Sequence, residues 1–331
     1  MMQIVLVGLG AGAAAALLFA TALAGAPLIS GTTISVTLVY LRTLLFYLAP
    51  LPILIAALGW NHWAGLVAGL VAATSLGLVI GFYLFSAFMI GVALPAWWLA
   101  YLSLLARPVA ANGSPTLEWY PIGRLLLWAA LISAVLVIVA VPYFGTDKEA
   151  FQAALRSIFE RAFRSPMPVN APADIDRVID LLVSALPLAL AGLITLLSML
   201  NLWIAGRVVR VSGRLARPWP DLSMLTLPPL TPGLLALAIA GMFLPGIASV
   251  LSGIVAGSLM MAYALVGFAV LHAVTRGLDY RAMALAGTYV AVILFFWPLL
   301  ALALLGLADS AFLIRARVTA KRARPPNSPP T

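Results

Sequence analysis

Long apolar runs separated by short polar breaks fill most of the chain. A helix needs about 20 consecutive apolar residues to cross a bilayer. Nine runs meet or approach this length, and most Arg residues lie in the breaks between them. The runs cover residues 4–28, 43–60, 64–106 (two spans), 122–143, 178–205, 234–245, 249–274 and 286–306. The pattern predicts an all-α fold, a polytopic transmembrane helix bundle with eight or nine spans.

Two prolines, Pro50 and Pro52, lie in the middle of the second apolar run. Each proline removes a backbone N–H donor and bends a helix that contains it. Bent spans often line the cavities of transporters, but many bends are structural kinks and nothing more. The sequence leaves both interpretations open for this span.

Residues 145–177 form a polar insert between two apolar runs. Phe151, Leu155 and Phe159 recur there at helical spacing, while Arg156 and Glu160 occupy the other side. This spacing predicts an amphipathic helix that either lies on the membrane surface or caps the bundle without touching lipid.

Two further segments differ in composition from the apolar runs. A proline-rich connector is expected at about residues 218–232. The basic, proline-rich tail, residues 315–331, is expected to be disordered. Residues 1–314 are expected to form a single transmembrane helical domain.

Composition narrows the class of protein. The chain has 331 residues, of which 64% are hydrophobic and 9% are charged, and such a chain cannot cover a soluble surface. It is therefore predicted to be an integral membrane protein. The net charge of +9 comes from basic residues that flank the apolar runs, which suits lipid headgroups better than nucleic acid. The lipid bilayer is the expected partner, and nucleic acid is not.

The residues that most catalytic and metal sites need are scarce. There is no Cys, which excludes disulfides, iron–sulfur ligation and the usual structural zinc sites, and there are only two His residues. We also find no H-x-x-x-H pair, Walker loop or nucleophile elbow. We therefore expect no enzyme activity, no catalytic residue, no metal and no cofactor.

Polar residues inside apolar spans are costly, and they are the first candidates for function. Asp309 is the sharpest case: it could pair with Arg315 or Arg317, or it could form a cation or proton site. His272 could relay protons or contact a ligand, or it could be an interfacial histidine with a backbone partner. Asn201 could bind a substrate or join helices.

Three more residues at span ends complete the candidate set. Glu118 and Arg124 flank the entry to one span and could pair with each other. Trp203 lies at the exit of another span, just before a run of arginines. All six candidates are assigned to substrate contact or helix pairing, with neither role excluded.

Several short motifs together resemble a known family. The matching pieces are Tyr47-Leu48-Ala49-Pro50-Leu51-Pro52 with Gly59-Trp60, Leu94-Pro95-Ala96-Trp97-Trp98-Leu99, Leu200-Asn201-Leu202-Trp203, Gly267-Phe268-Ala269-Val270-Leu271-His272, and Leu305-Gly306-Leu307-Ala308-Asp309 before Arg315-Ala316-Arg317. They resemble the bacterial polytopic membrane family catalogued as domain of unknown function 2232, also called YybS-like. That family is similar in expected fold to the S components of energy-coupling-factor vitamin transporters. The resemblance implies a helical bundle with a small-molecule cavity, and it transfers no catalytic or binding residues.

Location and orientation follow from the resemblance and the charges. The resemblance implies a bacterial cytoplasmic (inner) membrane, and the basic tail cluster predicts a cytoplasmic C-terminus. With nine crossings the positive-inside bias is weak. One re-entrant segment between Arg217 and the tail would strengthen it, so eight spans remain an alternative.

Two functions are compatible with these features. The protein is expected to be a small-molecule transporter or substrate-capture subunit with a cavity between its spans. The alternative is a membrane scaffold or assembly factor that engages lipid or other proteins without transport activity.

Overall fold

The computed structural model describes residues 1–23, 36–111, 114–164 and 174–323. The first part contains helices α1 (Met2–Leu23), α2 (Val36–Tyr47), α3 (Pro50–Gly59), α4 (His62–Val79), α5 (Phe82–Phe88) and α6 (Leu94–Leu104), with a π-helical segment (Met89–Ala93) between the last two. Strands β1 (Ala106–Ala111) and β2 (Ser114–Trp119) follow. The second part contains α7 (Ile122–Ala140), α8 (Lys148–Arg164), α9 (Asp174–Val211), α10 (Thr231–Gly241), α11 (Ile247–Val274), α12 (Arg281–Phe295), α13 (Pro298–Phe312) and α14 (Ile314–Ala323), with 3₁₀ turns at Val141–Tyr143 and Leu222–Met224.

The predicted all-α polytopic bundle is confirmed. Within the described residues, seven helical stretches are long and apolar enough to cross a membrane. They are Met2–Thr21, Leu38–Gly59, His62–Val79, Phe82–Leu104, Ile122–Tyr143, Ile175–Val211 and Ile247–Val274. The remaining predicted segments correspond to three shorter apolar helices, α10, α12 and α13.

The helices group into two compact units. Unit 1 contains Met1–Leu125 and Leu197–Pro220, and unit 2 contains Leu126–Leu196 and Asp221–Thr331. Helix α9, with 38 residues, contributes its second part to unit 1 and its first part to unit 2. The single transmembrane domain expected from the sequence stays a prediction.

Small residues let the helices of unit 1 approach closely. Gly8 and Gly12 of α1 face α4, where a Cβ on Gly8 would lie 2.6 Å from Cγ1 of Val67. Gly65 of α4 faces α3 in the same way, because a Cβ there would lie 2.6 Å from the Cβ of Ala57. Without a water-driven hydrophobic effect in lipid, such close backbone packing is a main source of helix association.

Helix α11 forms the centre of unit 2. Its Gly257 lies against the Leu188 carbonyl of α9, and its Gly267 lies against the Leu302 carbonyl of α13. Gly306 of α13 in turn lies against the Tyr263 carbonyl of α11, so α11 and α13 run antiparallel. All three contacts need glycine because a side chain would occupy the space of a backbone carbonyl.

The amphipathic helix predicted within residues 145–177 is α8. Its Phe151 and Leu155 are buried and pack with Ile179, Val183 and Ile254 of unit 2. The Asp147 carboxylate caps its first turn by accepting from the Ala150 N–H at 2.7 Å. Part of the apolar face of α8 therefore packs on the bundle, while Ile158 and Phe163 are exposed. Whether α8 also touches lipid stays a prediction.

The last apolar run differs from the continuous span expected after Ala286. It breaks into α12 and α13 at Phe296, whose φ is 56°. Pro298 causes the break because it has no N–H to donate to the carbonyl four residues earlier, and its ring clashes with that carbonyl. Neither half reaches the length of a span.

Two further segments have regular structure. The tail forms α14 as far as Ala323, although disorder was expected from Arg315; its Ala, Arg and Lys residues favour a helix. Residues 324–331 lie outside the described part of the chain. The loop around Glu118 is the β1–β2 hairpin, in which Arg107 stands opposite Glu118.

Candidate functional site

The six candidate residues are divided between the two units. Four of them belong to unit 1 and two to unit 2. The first group is Asn201, Trp203, Glu118 and Arg124, and the second is His272 and Asp309.

Asp309, near the end of α13, forms a buried ion pair with Arg315 of α14. Oδ2 accepts from Nε of Arg315 at 2.9 Å and from Nη2 at 2.7 Å, while Oδ1 accepts the Arg315 backbone N–H at 2.9 Å. The Asp309 and Arg315 side chains are only 6% and 11% exposed. The Asp309 carboxylate thus caps the start of α14 and holds the Arg315 guanidinium in place. These contacts support the structural alternative for Asp309.

The polar contacts continue from Arg315 across the start of the connector. Arg315 Nη1 donates to the Ser223 carbonyl at 2.7 Å, and the Ser223 hydroxyl and N–H donate to Asp221 at 2.7 and 2.9 Å. Asp221 also accepts from Arg276 at 3.3 Å. The hydrogen bonds from Ser223, and then the charge of Arg276, lower the pKa of Asp221. This chain of contacts ties the connector to the ends of α11 and α13.

His272 of α11 has a side-chain partner where a backbone partner was expected. Its Nε2 lies 2.9 Å from the Tyr289 hydroxyl of α12. The Tyr289 ring stacks on Phe268 with centroids 5.1 Å apart. His272 therefore holds α12 against α11.

Asn201 donates to a backbone carbonyl of unit 1 that has lost its helical partner beside the two prolines. In a continuous helix the Leu51 N–H would donate to the Tyr47 carbonyl, but it donates to Leu48 at 2.9 Å. Asn201 Nδ2 donates to the Tyr47 carbonyl instead, at 2.9 Å, and also to Leu197 at 2.9 Å. The bend at Pro50 is thus joined to α9, which is the helix-pairing role.

Trp203 begins an aromatic and arginine cluster at the end of α9. The Arg207 guanidinium carbon lies 5.8 Å from the Trp203 ring and 5.4 Å from the Trp219 ring, and that of Arg210 lies 5.1 Å from the Trp219 ring. Farther along, the Arg214 guanidinium carbon lies 4.6 Å from the Trp60 ring at the end of α3. These distances fit cation–π contacts.

Arg217 anchors the end of the same segment. Its Nη1 donates to the Ser103 carbonyl of α6 at 3.4 Å. Burial lowers the pKa of Arg217, but an arginine keeps its charge at neutral pH. Arg207, Arg210, Arg214 and Arg217 are together called the α9 arginines below.

The predicted pairing of Glu118 with Arg124 is replaced by a pair across the hairpin. Glu118 Oε2 accepts from Nη2 and Nε of Arg107, both at 2.7 Å, because the strand register places these residues opposite each other. Arg124, at the start of α7, is exposed and forms no ion pair within the described residues. Sequence reasoning missed the hairpin, although Asn112-Gly113 between the two strands is a strong hairpin signal.

A cleft lies at the base of this hairpin in unit 1. Its volume is about 370 Å³. Arg107, Glu118 and Arg124 line it together with the apolar and aromatic residues Leu105, Ala106, Trp119, Tyr120 and Pro121. A positive charge beside apolar surface suits a small amphipathic anion.

A smaller cleft lies in unit 2, where α8 meets α9 and α11. Its volume is about 180 Å³, and Lys148, Gln152, Ser184 and Ser249 contribute polar groups. Pro187 of α9 also lines it. Its polar groups come from three helices, but it has half the volume of the hairpin cleft.

Metal ligands do not cluster in the part of the chain that the structure describes. No three His, Asp or Glu side chains there lie close enough to share an ion. The expected absence of a metal and a cofactor stays a prediction.

Comparison with known proteins gives one match. A family model described as "Predicted membrane protein (DUF2232)" matches residues 28–310. No curated protein and no solved structure matches the chain.

Proposed function

Since the chain belongs to this family of predicted membrane proteins, we propose that it is a substrate-capture protein of the bacterial inner membrane that binds an anionic small molecule. The proposal refines the transporter or capture function expected from the sequence. It places the ligand in the hairpin cleft of unit 1.

The charge balance of the cleft is the observation that carries this proposal. Glu118 is neutralised by Arg107 at 2.7 Å, which leaves Arg124 as the excess charge on the cleft wall. The guanidinium of Arg124 can donate two parallel hydrogen bonds to a carboxylate or phosphate. Trp119 and Tyr120 offer flat apolar surface for the rest of such a ligand.

Capture is favoured over transport driven by an ion gradient. A coupled transporter needs an intramembrane group that can release and rebind an ion. Asp309 is occupied by three hydrogen bonds from Arg315, and His272 is held by Tyr289. These contacts support a protein that presents its ligand to a partner, as the expected similarity to S components also implies.

The test is ligand-dependent thermal stability of the purified chain in detergent. The panel contains aromatic carboxylates and organic phosphates, each beside its uncharged amide or alcohol analogue. We expect at least one anion to raise the melting temperature and its neutral analogue to leave it unchanged, because bound ligand stabilises the folded state.

Two variants locate the effect. Arg124→Gln should abolish the shift, whereas Arg42→Gln, which removes the same charge from α2 of the same unit, should retain it. A panel in which no anion stabilises the wild-type chain contradicts the proposal. So does an anion that stabilises Arg124→Gln as strongly as the wild type.

One observation favours the alternative, a membrane scaffold or assembly factor. None of the residues of α12 is buried, and Ile293 and Leu294 are exposed. A helix with an apolar surface of this kind can pair with a helix of another protein in the bilayer. Photo-crosslinking from Ile293 in intact membranes should then give one constant protein adduct, whereas adducts with lipid alone would contradict the scaffold.

A further inference from the structure

In the part of the chain that the structure describes, the α9 arginines form a positively charged surface without carboxylate partners. Arg207 and Arg210 are three residues apart and therefore lie on one face of α9. Both place their guanidinium carbons within 5.4 Å of the centre of the Trp219 ring. Arg214, on Trp60, extends this surface past the helix end.

The composition of unit 1 explains why no acid neutralises them. Its basic residues are Arg42, Arg107, Arg124 and the α9 arginines, and Glu118 is its single acid by sequence. Glu118 is already paired with Arg107 at 2.7 Å. Asp221, the next acid along the chain, is engaged by Ser223 and Arg276. Within the described residues, none of the α9 arginines forms an ion pair.

The aromatic contacts of Arg207, Arg210 and Arg214 prepare these three side chains for an anion. A guanidinium that packs against an aromatic ring keeps its N–H groups at the edge of the guanidinium plane. From there the N–H groups can donate to an acceptor that lies in the same plane. Holding the side chain against Trp219 also reduces the rotamer entropy that binding would otherwise remove. At the end of a membrane span, the anion with the matching geometry is phosphate.

We propose that Arg207, Arg210 and Trp219 bind the phosphate of an anionic phospholipid headgroup. Arg207 and Arg210 donate to the phosphate oxygens from beside the Trp219 ring, and Arg214 adds long-range attraction. The site shares no residue with the lining of the hairpin cleft and does not depend on the capture function. A zwitterionic headgroup binds more weakly because its ammonium group meets the same positive surface.

Native mass spectrometry of the purified full chain measures this binding directly. Phosphatidylglycerol and phosphatidylcholine are added in matched series, and the lipid-bound fraction is recorded at each concentration. We expect clear retention of phosphatidylglycerol. The double variant Arg207→Gln/Arg210→Gln should bind it about tenfold more weakly, because two charge-assisted hydrogen-bonding groups are lost.

A double variant with the same loss of charge is the control. Arg42→Gln/Arg161→Gln removes one arginine from α2 and one from α8 but leaves the α9 end intact, so it should bind like the wild type. Trp219→Leu keeps every charge and should also weaken binding, which provides a second readout if the arginine variant fails to fold. Equal phosphatidylglycerol binding by Trp219→Leu and the wild type overturns the site.

Inorganic phosphate distinguishes the lipid from a free anion. If the lipid is the ligand, millimolar phosphate should neither displace phosphatidylglycerol nor stabilise lipid-depleted protein against heat. If phosphate does both, and Arg207→Gln/Arg210→Gln abolishes both effects, the ligand is a soluble phosphate and the lipid assignment is overturned.

Discussion

Asp309 and Arg315 face each other across the junction of α13 and α14, and three hydrogen bonds of 2.7 to 2.9 Å join them. Leu313 lies between them in the left-handed region, with φ of 53°, so the chain turns and places the Arg315 guanidinium on the Asp309 carboxylate. An acid that could be an ion site in the sequence is a helix-junction residue in the structure.

Removing this acid should destabilise the fold. Asp309→Asn leaves the Arg315 charge buried without its counter-ion, which is expected to lower the free energy of unfolding by about 3–5 kcal/mol. The measurement is heat or denaturant unfolding of the purified chain, together with its abundance in membranes.

Ligand binding separates this structural role from an ion site. The fraction of Asp309→Asn that remains folded should still bind the panel anions through Arg124. The opposite result, normal abundance and stability with lost ligand response, would assign Asp309 to the functional site.

Asn201 should matter because of the prolines that it faces. Asn201→Leu leaves the Tyr47 carbonyl without a donor and is expected to lower the free energy of unfolding by about 1–2 kcal/mol. In the background Pro50→Ala/Pro52→Ala the helix can close its own hydrogen bonds, and the same substitution should then have a smaller effect. Equal effects in the two backgrounds would show that Asn201 does not replace the hydrogen bond that is lost beside the prolines.

The glycines between α11 and α13 can be tested by single methyl groups. Gly267→Ala and Gly306→Ala each direct a Cβ at a backbone carbonyl of the facing helix, and each is expected to lower the free energy of unfolding by about 1–3 kcal/mol. Gly287→Ala on α12 is the control, because no heavy atom lies within 4 Å of its added Cβ. Thermal unfolding in detergent should separate the two classes, and a control as harmful as the test variants would disprove the close packing.

The contacts of the Asp221 carboxylate predict that the stability of the folded protein depends on pH. Its pKa in the folded protein is lowered below the ordinary 3.8, first by the Ser223 hydrogen bonds and then by Arg276. A lowered carboxyl pKa stabilises the folded state fully above the unfolded value and loses this contribution as pH falls through the folded value. The melting-temperature difference between wild type and Asp221→Asn should therefore be constant from pH 8 to about 5 and shrink below about pH 4. A constant difference down to pH 3 would contradict this contribution.

The helices could be predicted well because the spacing of apolar residues and the length of the apolar runs are local signals in the sequence. The spans at 122–143 and 249–274 correspond closely to Ile122–Tyr143 and Ile247–Val274. The last run was harder, since its composition alone favours one span and only Pro298 marks the break. The β1–β2 hairpin was missed because its strands are short and lie within a polar stretch.

The candidate site was less predictable because it depends on contacts between distant residues. Glu118 is close in sequence to Arg124, but the strand register places Glu118 opposite Arg107. The Tyr47 carbonyl, which accepts a hydrogen bond from Asn201, lies 154 residues away from Asn201 along the chain. The pairing of Asp309 with Arg315 could be anticipated, since the two are only six residues apart.

Photo-crosslinking with para-benzoylbenzoate, an apolar aromatic carboxylate, tests the capture proposal most directly. After irradiation of the purified chain in detergent and proteolysis, mass spectrometry locates the adducts. We expect them on residues 105–124, competed by the best stabilising anion and lost in Arg124→Gln but not in Arg42→Gln. Adducts confined to other parts of the chain, or retained in Arg124→Gln, would contradict the hairpin cleft as the site of ligand capture.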